Sequence, residues 1–387
     1  MYTPITRYWQ QSSKPAKLLM LAAIFLIAAY PIYTNYYYGY GVEQYQRHKD
    51  VMARKSMFFN PWQYRILSPM VVESIYQAEQ FAIEKPFGPE LKIRNSIQTT
   101  SAYEHSQKLL DLLHQEGFLT YNIIFILVRI AQHLLIFYLM LIFYRKFVKN
   151  DWLIVAGIIF TSFLMANAVN DSDLSFNTYS DVILYLWAGY VIASGKNPWT
   201  IVVITVLGAF NRETSLLIPF LFFVSQVKWT SFNFRKLSID TIRSVAPPTR
   251  VFIVTATSTI LFIAIFVAIR MYFGYVDQSY WRAASGLEML KLNLFSSVSM
   301  KSYFEMFGTM VVLPLLFLYS FRNQSYLLRV LFIALLPIWF GVHFYSVVAY
   351  QSRLFLVPTL LVLLPGFLEI IERHSLAKHT DVKPELS

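Results

Sequence analysis

Apolar residues occur in long runs along this sequence, and short polar stretches between the runs carry most of the charges. An α-helix needs roughly 20 apolar residues to cross a hydrocarbon core of about 30 Å, and most of the runs approach that length. The pattern therefore predicts an all-α, polytopic membrane protein with about ten transmembrane helices. We place these helices at roughly 18–34, 119–143, 152–169, 178–194, 199–210, 213–227, 251–273, 303–320, 327–346 and 353–371.

Composition supports the membrane class. The chain is 56% hydrophobic and 17% aromatic, and only 14% of its residues are charged, whereas soluble domains carry about 25% charged residues. The net charge of +11 does not indicate nucleic acid, because the Lys and Arg residues lie between the apolar runs. The absence of cysteine excludes disulfides, cysteine-ligated zinc, iron–sulfur clusters and thiol nucleophiles.

The distribution of basic residues predicts the orientation. Lys and Arg concentrate in alternate connections, among them the N-terminus, residues 145–149, the 228–250 loop and the C-terminal tail. Cytoplasmic connections are the ones enriched in Lys and Arg. We therefore expect both termini to be cytoplasmic, in a bacterial inner membrane or a plasma membrane.

The chain shows no internal repeat and no soluble segment, so we expect a single transmembrane domain covering residues 1–387. Its connections on the outer side include two long ones. The predicted parts are an outer loop at 35–118 with interfacial helices at 66–83 and 101–115, a second outer loop at 274–302, and a cytoplasmic tail at 372–387.

An arginine stands between two prolines in the first outer loop, in Asn60-Pro61-Trp62-Gln63-Tyr64-Arg65-Ile66-Leu67-Ser68-Pro69. The prolines restrict the backbone, and a guanidinium group can bind a phosphate through two parallel hydrogen bonds. Tyr64 and Arg65 are therefore candidate substrate-binding residues. The alternative is that Arg65 pairs with lipid headgroups or with Glu73.

Three aspartates lie near the outer ends of the third and fourth predicted helices. Asp171 and Asp173 are spaced so that they could share a divalent cation such as Mg²⁺ or Mn²⁺, although helix capping is the stronger interpretation for Asp173. Asp181 lies within an apolar stretch, where a charge is costly and indicates function.

Four further residues lie at outer helix ends. Arg212 and Glu213 separate two apolar runs, and they either neutralise each other at a helix break or contact a polar substrate. Arg353 opens the last predicted helix, where it either extends its charge to the interface or binds substrate. His343 is a candidate base or a hydrogen-bonded structural residue.

Three segments, taken in order, resemble a known family. They are Gly41-Val42-Glu43-Gln44-Tyr45 after the first helix, the stretch from Tyr179-Ser180-Asp181 to Ala209-Phe210-Asn211-Arg212-Glu213-Thr214, and Gln351-Ser352-Arg353-Leu354-Phe355-Leu356-Val357-Pro358. Their order is similar to that of the GT-C superfamily, polytopic glycosyltransferases that use polyprenyl-phosphate sugars outside the cytoplasm. The resemblance implies that Glu43 is the catalytic base, with Asp181 as the alternative.

Sugar transfer requires residue types that this sequence supplies on one predicted side. A carboxylate must deprotonate the acceptor hydroxyl, and cations or a metal must stabilise the departing phosphate. Glu43, together with Arg65, Arg212 and Arg353, provides these groups. The expected partners are a polyprenyl-phosphate sugar donor, a glycan, lipid or protein acceptor, and membrane lipids.

Two other functions fit the same composition. One is a transporter or flippase of a lipid-linked sugar, which would place a cavity at the membrane midplane. The other is a non-catalytic subunit of a membrane complex, which would lack a polar cavity. No nucleotide-binding loop and no serine- or metalloprotease motif is present.

Overall fold

The computed structural model describes residues 13–37, 40–55, 62–84, 107, 110–112, 115, 117–171, 175–229, 245–275, 286–310, 312–349 and 352–381. Within these residues the chain is helical apart from turns and short connections, and no strand occurs. The predicted all-α class is therefore confirmed.

The helices in the described ranges are, in chain order, α1 Lys14–Tyr37, α2 Tyr40–Met52, α3 Leu67–Glu79, α4 Phe118–Tyr144, α5 Asp151–Asp171, α6 Ser175–Ser194, α7 Trp199–Ala209, α8 Leu217–Gln226, α9 Thr249–Phe273, α10 Leu287–Phe295, α11 Ser297–Met310, α12 Leu313–Tyr319, α13 Tyr326–Ser346 and α14 Leu364–Asp381. A π-helical turn, Gln80–Glu84, continues α3. The turns Ser352–Phe355, Leu356–Pro358 and Thr359–Leu363 lead directly into α14.

Six helical segments of the described chain are long and apolar enough to cross a membrane, which indicates a multi-pass membrane protein. They are Lys14–Tyr33, Phe118–Tyr144, Asp151–Ala168, Thr249–Phe273, Tyr326–Ser346 and Arg353–Ser375. All six correspond to predicted transmembrane helices.

The other four predicted transmembrane helices do not meet that criterion of length and hydropathy. α6 has sufficient length but carries Asp181 and other polar residues in its first half. α7 and α8 are short, and the predicted helix at 303–320 is divided between α11 and α12. Within the described ranges, length and composition thus support six spanning helices.

Within its described residues, the segment 35–118, predicted as the first outer loop, contains a helix that the sequence did not predict. α3 and its π turn cover the predicted interfacial helix at 66–83, whereas α2 was not predicted because its residues are largely polar. Most of the predicted helix at 101–115 lies outside the described residues.

The last helical segment is at the centre of the fold. Its apolar side chains from Leu354 to Leu364 are at most 2% exposed. A helix that is apolar on every face is stable only where other helices surround it. This segment therefore forms the axis against which α5, α6, α13 and the other helices pack.

α1 and α9 lie at the periphery. Leu19 in α1 is 71% exposed and Ile260 in α9 is 64% exposed. Each Å² of apolar surface left in water costs about 25 cal/mol, so these outer faces are suited to contact with lipid tails.

Candidate functional site

A break between α7 and α8 positions the central polar residues. α7 ends at Ala209, the chain turns at Phe210 and Asn211, and a 3₁₀ turn, Glu213–Leu216, leads into α8. The Gly208 carbonyl accepts hydrogen bonds from the backbone N–H groups of Asn211 and Arg212, at 2.9 and 3.0 Å. A side chain at Gly208 would collide with Ser215, because an added Cβ would lie 2.5 Å from the Ser215 Cβ.

The backbone of Arg212 is extended, with φ −156° and ψ 153°. In extended chain, successive side chains point in opposite directions. Arg212 and Glu213 therefore face different partners, and the hypothesis that they neutralise each other is wrong.

Arg212 pairs with Asp181 on α6. An Arg212 Nη1 donates to the Asp181 carboxylate at 3.0 Å, and Asn211 Nδ2 donates to the other carboxylate oxygen at 2.6 Å. Asp181 is fully buried and Arg212 is 7% exposed. Charges so far from water persist only when paired, so this ion pair fixes the direction of the Arg212 side chain.

Glu213 bridges two other arginines. One carboxylate oxygen accepts a hydrogen bond from Arg65 at 3.3 Å, and the second accepts one from Arg270 on α9 at 3.0 Å. The Glu213 side chain is 35% exposed and that of Arg65 is 10% exposed. Glu213 is thus the accessible edge of the polar region, while Arg65 lies behind it.

Burial lowers the pKa of Arg65 to about 10, although Glu213 acts in the opposite direction. A pKa of that value leaves the guanidinium group charged at neutral pH. Arg65 is therefore a buried permanent cation.

The segment that carries Arg65 is anchored to the end of α9. The Tyr64 hydroxyl and the Gln63 amide both donate to the carbonyl of Gly274, at 2.8 and 3.1 Å. Gly274 ends α9 with a φ of 72°, a left-handed conformation that glycine adopts at little cost. The Arg270 guanidinium lies 4.5 Å from the centre of the Tyr64 ring, so Tyr64 helps to hold both arginines.

His343 and Arg353 approach the same region from the last two long helical segments. His343 bonds through Nδ1 to the Trp339 carbonyl at 2.8 Å and stacks on the Trp339 ring. Trp339 in turn donates to the Leu354 carbonyl at 2.7 Å. His343 and Arg353 are 3% and 2% exposed, so both side chains are held inside the fold.

Three arginines act electrostatically on the His343 ring: Arg65, Arg212 and Arg353. We call these three residues the arginine cluster. They come from three separate parts of the chain, and the fold brings them to the same end of α13. Three guanidinium groups of the described chain, those of Arg65, Arg212 and Arg270, pair with two carboxylates, those of Asp181 and Glu213; Arg353 adds a fourth cation near His343. This end of the molecule therefore carries excess positive charge.

Several predicted site residues fall outside what the structure describes. Glu43 lies in α2, but its side chain is not among the described ones. The same holds for the side chain of Asp171 at the end of α5, and Asp173 lies wholly outside. The predictions for these three residues stay predictions.

The described residues do not fit a divalent cation. No group of three His, Asp or Glu side chains within the described ranges is arranged to hold a metal. The Asp181 and Glu213 carboxylates are each occupied by arginines.

The alternative in which Arg65 pairs with Glu73 is also wrong. Glu73 accepts a hydrogen bond from Lys49 at 3.2 Å, and Lys49 lies against the rings of Tyr76 and Tyr121. This contact joins α2 to α3 and α4, away from Glu213.

Sequence reasoning missed Arg270 and Arg129. Arg270 is the single basic residue near the end of α9, where a charge is easily explained as an interfacial anchor. Arg129 lies within α4, is fully buried and stands 5.3 Å from the rings of Phe176 and Tyr179. A charge inside an apolar run is the signal that identifies Arg129, whereas the position of Arg270 at the end of a run gives no such signal.

An apolar groove of about 660 Å³ lies beside the polar region, between α3, α4, α6 and α7. Its polar lining residues include Ser68, Ser180 and Gln132, and the two hydroxyl groups lie 3.0 Å apart. Gln132 donates to Ser180 at 2.9 Å. Ser180 precedes Asp181 and Ser68 follows Arg65 by three residues, so this polar part of the groove adjoins the arginine cluster.

No protein-family model, curated protein or solved structure matches this chain.

Proposed function

We propose that this chain is a GT-C-like membrane glycosyltransferase that moves a sugar from a polyprenyl-phosphate donor to an acceptor on the non-cytoplasmic side. In this proposal, about ten segments cross the membrane and both termini are in the cytoplasm. The observation that carries the proposal is the arginine cluster, Arg65, Arg212 and Arg353, at one end of an all-helical membrane fold, which we assign to the outer side. Buried cations are costly unless they serve a binding or structural role. An anionic substrate explains why three arginines are gathered around two carboxylates while a fourth, Arg353, lies near His343.

The phosphate of the donor is assigned to the arginine cluster. Guanidinium groups bind phosphate oxygens through short, charge-assisted hydrogen bonds. Asp181 holds Arg212 at 3.0 Å and Glu213 holds Arg65 at 3.3 Å, so both arginines are oriented before the substrate arrives. Such preorganised charge stabilises a leaving phosphate more effectively than mobile charge does.

The hydrocarbon chain of the donor is assigned to the apolar groove beside α4 and α6. Its volume of about 660 Å³ lies within the range of about 300–1,000 Å³ that is usual for ligand clefts. Its residues run along α6 from Phe176 to Tyr190, a length of ~21 Å of helix. A groove of this shape accommodates part of a long isoprenoid chain.

The proposed reaction is a single displacement at the anomeric carbon of the donor sugar. The acceptor oxygen forms a bond to that carbon, and the bond from the carbon to the phosphate oxygen breaks. The electron pair leaves with the polyprenyl phosphate, which the arginine cluster stabilises. The proton of the acceptor hydroxyl passes to a carboxylate, which we assign to Glu43. Asp181 is the alternative base, but its contacts with Arg212 and Asn211 favour a positioning role.

The proposal is tested by a transfer assay with purified protein in lipid vesicles and a panel of labelled polyprenyl-phosphate sugars. The wild type should form a glycosylated acceptor and release polyprenyl phosphate. Arg353→Ala should mainly weaken donor binding, because a phosphate clamp acts in the ground state as well as in the transition state. Glu43→Gln should lower turnover by about 10²–10⁴-fold, the contribution typical of a general base.

Lys55→Gln is the matched control, because Lys55 is an exposed cation near the end of α2, outside the arginine cluster. Its activity should equal that of the wild type. Full activity in Glu43→Gln would transfer the role of base to Asp181 or Asp171. The glycosyltransferase proposal fails if no donor supports transfer, and flux of a lipid-linked sugar across the vesicles would then favour a transporter or flippase.

A further inference from the structure

A second groove opens at the opposite end of the molecule from the arginine cluster. It lies between α8 and α13, has a volume of about 520 Å³, and is lined mainly by apolar side chains such as Phe220, Val330 and Ile333. Its residues on α13 begin at Tyr326. Arg329 lines this groove, and His343, beside the arginine cluster, lies ~21 Å further along the same helix. The two sites are therefore close to opposite faces of a membrane.

The rim of this groove is rigid and aromatic. The Tyr326 hydroxyl donates to the Val227 carbonyl at 3.1 Å and accepts a hydrogen bond from the Trp229 backbone at 3.2 Å. The Trp229 ring nitrogen donates to the Val224 carbonyl at 2.9 Å. Trp and Tyr concentrate at the level of lipid headgroups, so their position marks where the groove meets the interface.

Arg329 lies at this rim, and its charge has no counter-ion within the described part of the chain. The structure gives its side chain no hydrogen bond or ion pair there, and its buried Nε has no acceptor. The nearby Glu369 carboxylate is occupied, because it accepts hydrogen bonds from Arg373 and from the Ser325 backbone. A partly buried guanidinium group over an apolar groove suits an anion with an apolar body.

We propose that this groove binds one anionic glycerophospholipid from the bilayer, with its phosphate on Arg329 and an acyl chain along Phe220, Val330 and Ile333. The exposed side chains of this end include Lys228 and Arg322, so a basic surface surrounds the rim. Basic surfaces of this kind attract anionic lipids. The site is independent of the glycosyltransferase proposal and stands if that proposal fails.

The test is native mass spectrometry of purified, delipidated protein with phosphatidylglycerol and phosphatidylcholine of identical acyl chains. The wild type should retain one phosphatidylglycerol in preference to phosphatidylcholine. Arg329→Gln should bind phosphatidylglycerol on the order of tenfold more weakly, because it loses the charge-assisted hydrogen bonds to the phosphate. Arg329→Lys should keep most of the preference, because the charge remains.

Arg322→Gln is the matched control, since Arg322 is an exposed cation at the same end that does not line the groove. It should bind like the wild type. Equal retention of both lipids by the wild type, or equal loss in Arg322→Gln and Arg329→Gln, would overturn the proposal. Displacement of the lipid by the water-soluble headgroup glycerophosphoglycerol at matched concentration would also overturn it, because the groove would then contribute no affinity.

Discussion

The ion pair between Asp181 and Arg212 should be a major determinant of stability. Asp181 is fully buried and its carboxylate lies 3.0 Å from the Arg212 guanidinium. Removing one member of a buried pair leaves an uncompensated charge, at a cost of about 3–5 kcal/mol. We therefore expect Asp181→Asn, which preserves shape, to lower the free energy of unfolding by about that amount.

Glu213→Gln is the matched comparison, because it makes the same chemical change at a more exposed position. The Glu213 side chain is 35% exposed, and water screens its ion pairs. We expect Glu213→Gln to lower the free energy of unfolding by on the order of 1 kcal/mol, which is at the upper end of the values for accessible ion pairs. Both variants break an ion pair, so the larger loss of stability in Asp181→Asn should come from the deeper burial of Asp181.

The assay is equilibrium unfolding in mixed micelles, followed by fluorescence of the 8 tryptophans. The double variant Asp181→Asn/Arg212→Gln removes both charges and should recover part of the loss, with an interaction energy of about 0.5–3 kcal/mol. Equal effects of Asp181→Asn and Glu213→Gln, or strictly additive effects in the double variant, would refute the reasoning.

Three further predictions concern the turn, a buried histidine and the orientation. Gly208→Ala should destabilise the protein, because the new Cβ would lie 2.5 Å from the Ser215 Cβ. Gly341→Ala should leave the stability unchanged, because no atom lies within 4 Å of the new Cβ. Unfolding titrations that show equal effects of the two substitutions would contradict this prediction. Burial, and then nearby cations, lower the pKa of His48 from 6.5 to about 3, so the wild type should lose stability relative to His48→Phe as the pH falls from 6.5 towards 3. A pH-independent difference between the two would be inconsistent with that environment. In this cysteine-free chain, a membrane-impermeant thiol reagent should label Glu90→Cys but not Lys236→Cys in intact cells, and the reverse would invert the orientation.

The apolar runs were sufficient to predict the fold class. Helices such as α4 and α13 are long and apolar, so hydropathy alone locates them. α2 was not predicted because its polar residues give no apolar run, although the structure gives it 13 helical residues. Helices of this kind depend on tertiary contacts that a local pattern does not contain.

The residue types of the candidate site could be predicted, but their pairing could not. Arg212 and Asp181 are separated by the whole of α7, and their contact depends on how α6 packs against the turn before α8. Sequence reasoning considered Glu213 as the natural partner of Arg212 because the two are adjacent. The structure instead pairs Arg212 with Asp181 and Glu213 with Arg65 and Arg270, which no charge pattern reveals.

Arg270 shows a second limit of the sequence. A single arginine near the end of an apolar run is typical of an interfacial anchor, and that reading explains its position fully. Only the fold shows that Arg270 reaches Glu213 at 3.0 Å and stacks over Tyr64. Long-range contacts of one side chain are therefore the part of the site that sequence alone leaves undetermined.

The most direct measurement of the central claim is an electron cryo-microscopy structure of the protein in lipid nanodiscs with a polyprenyl phosphate. We predict density for the phosphate within about 2.7–2.9 Å of guanidinium nitrogens from at least two of Arg65, Arg212 and Arg353, with the isoprenoid chain in the groove beside α4 and α6. Phosphate density in a midplane cavity open to both sides, away from these three arginines, would contradict the account.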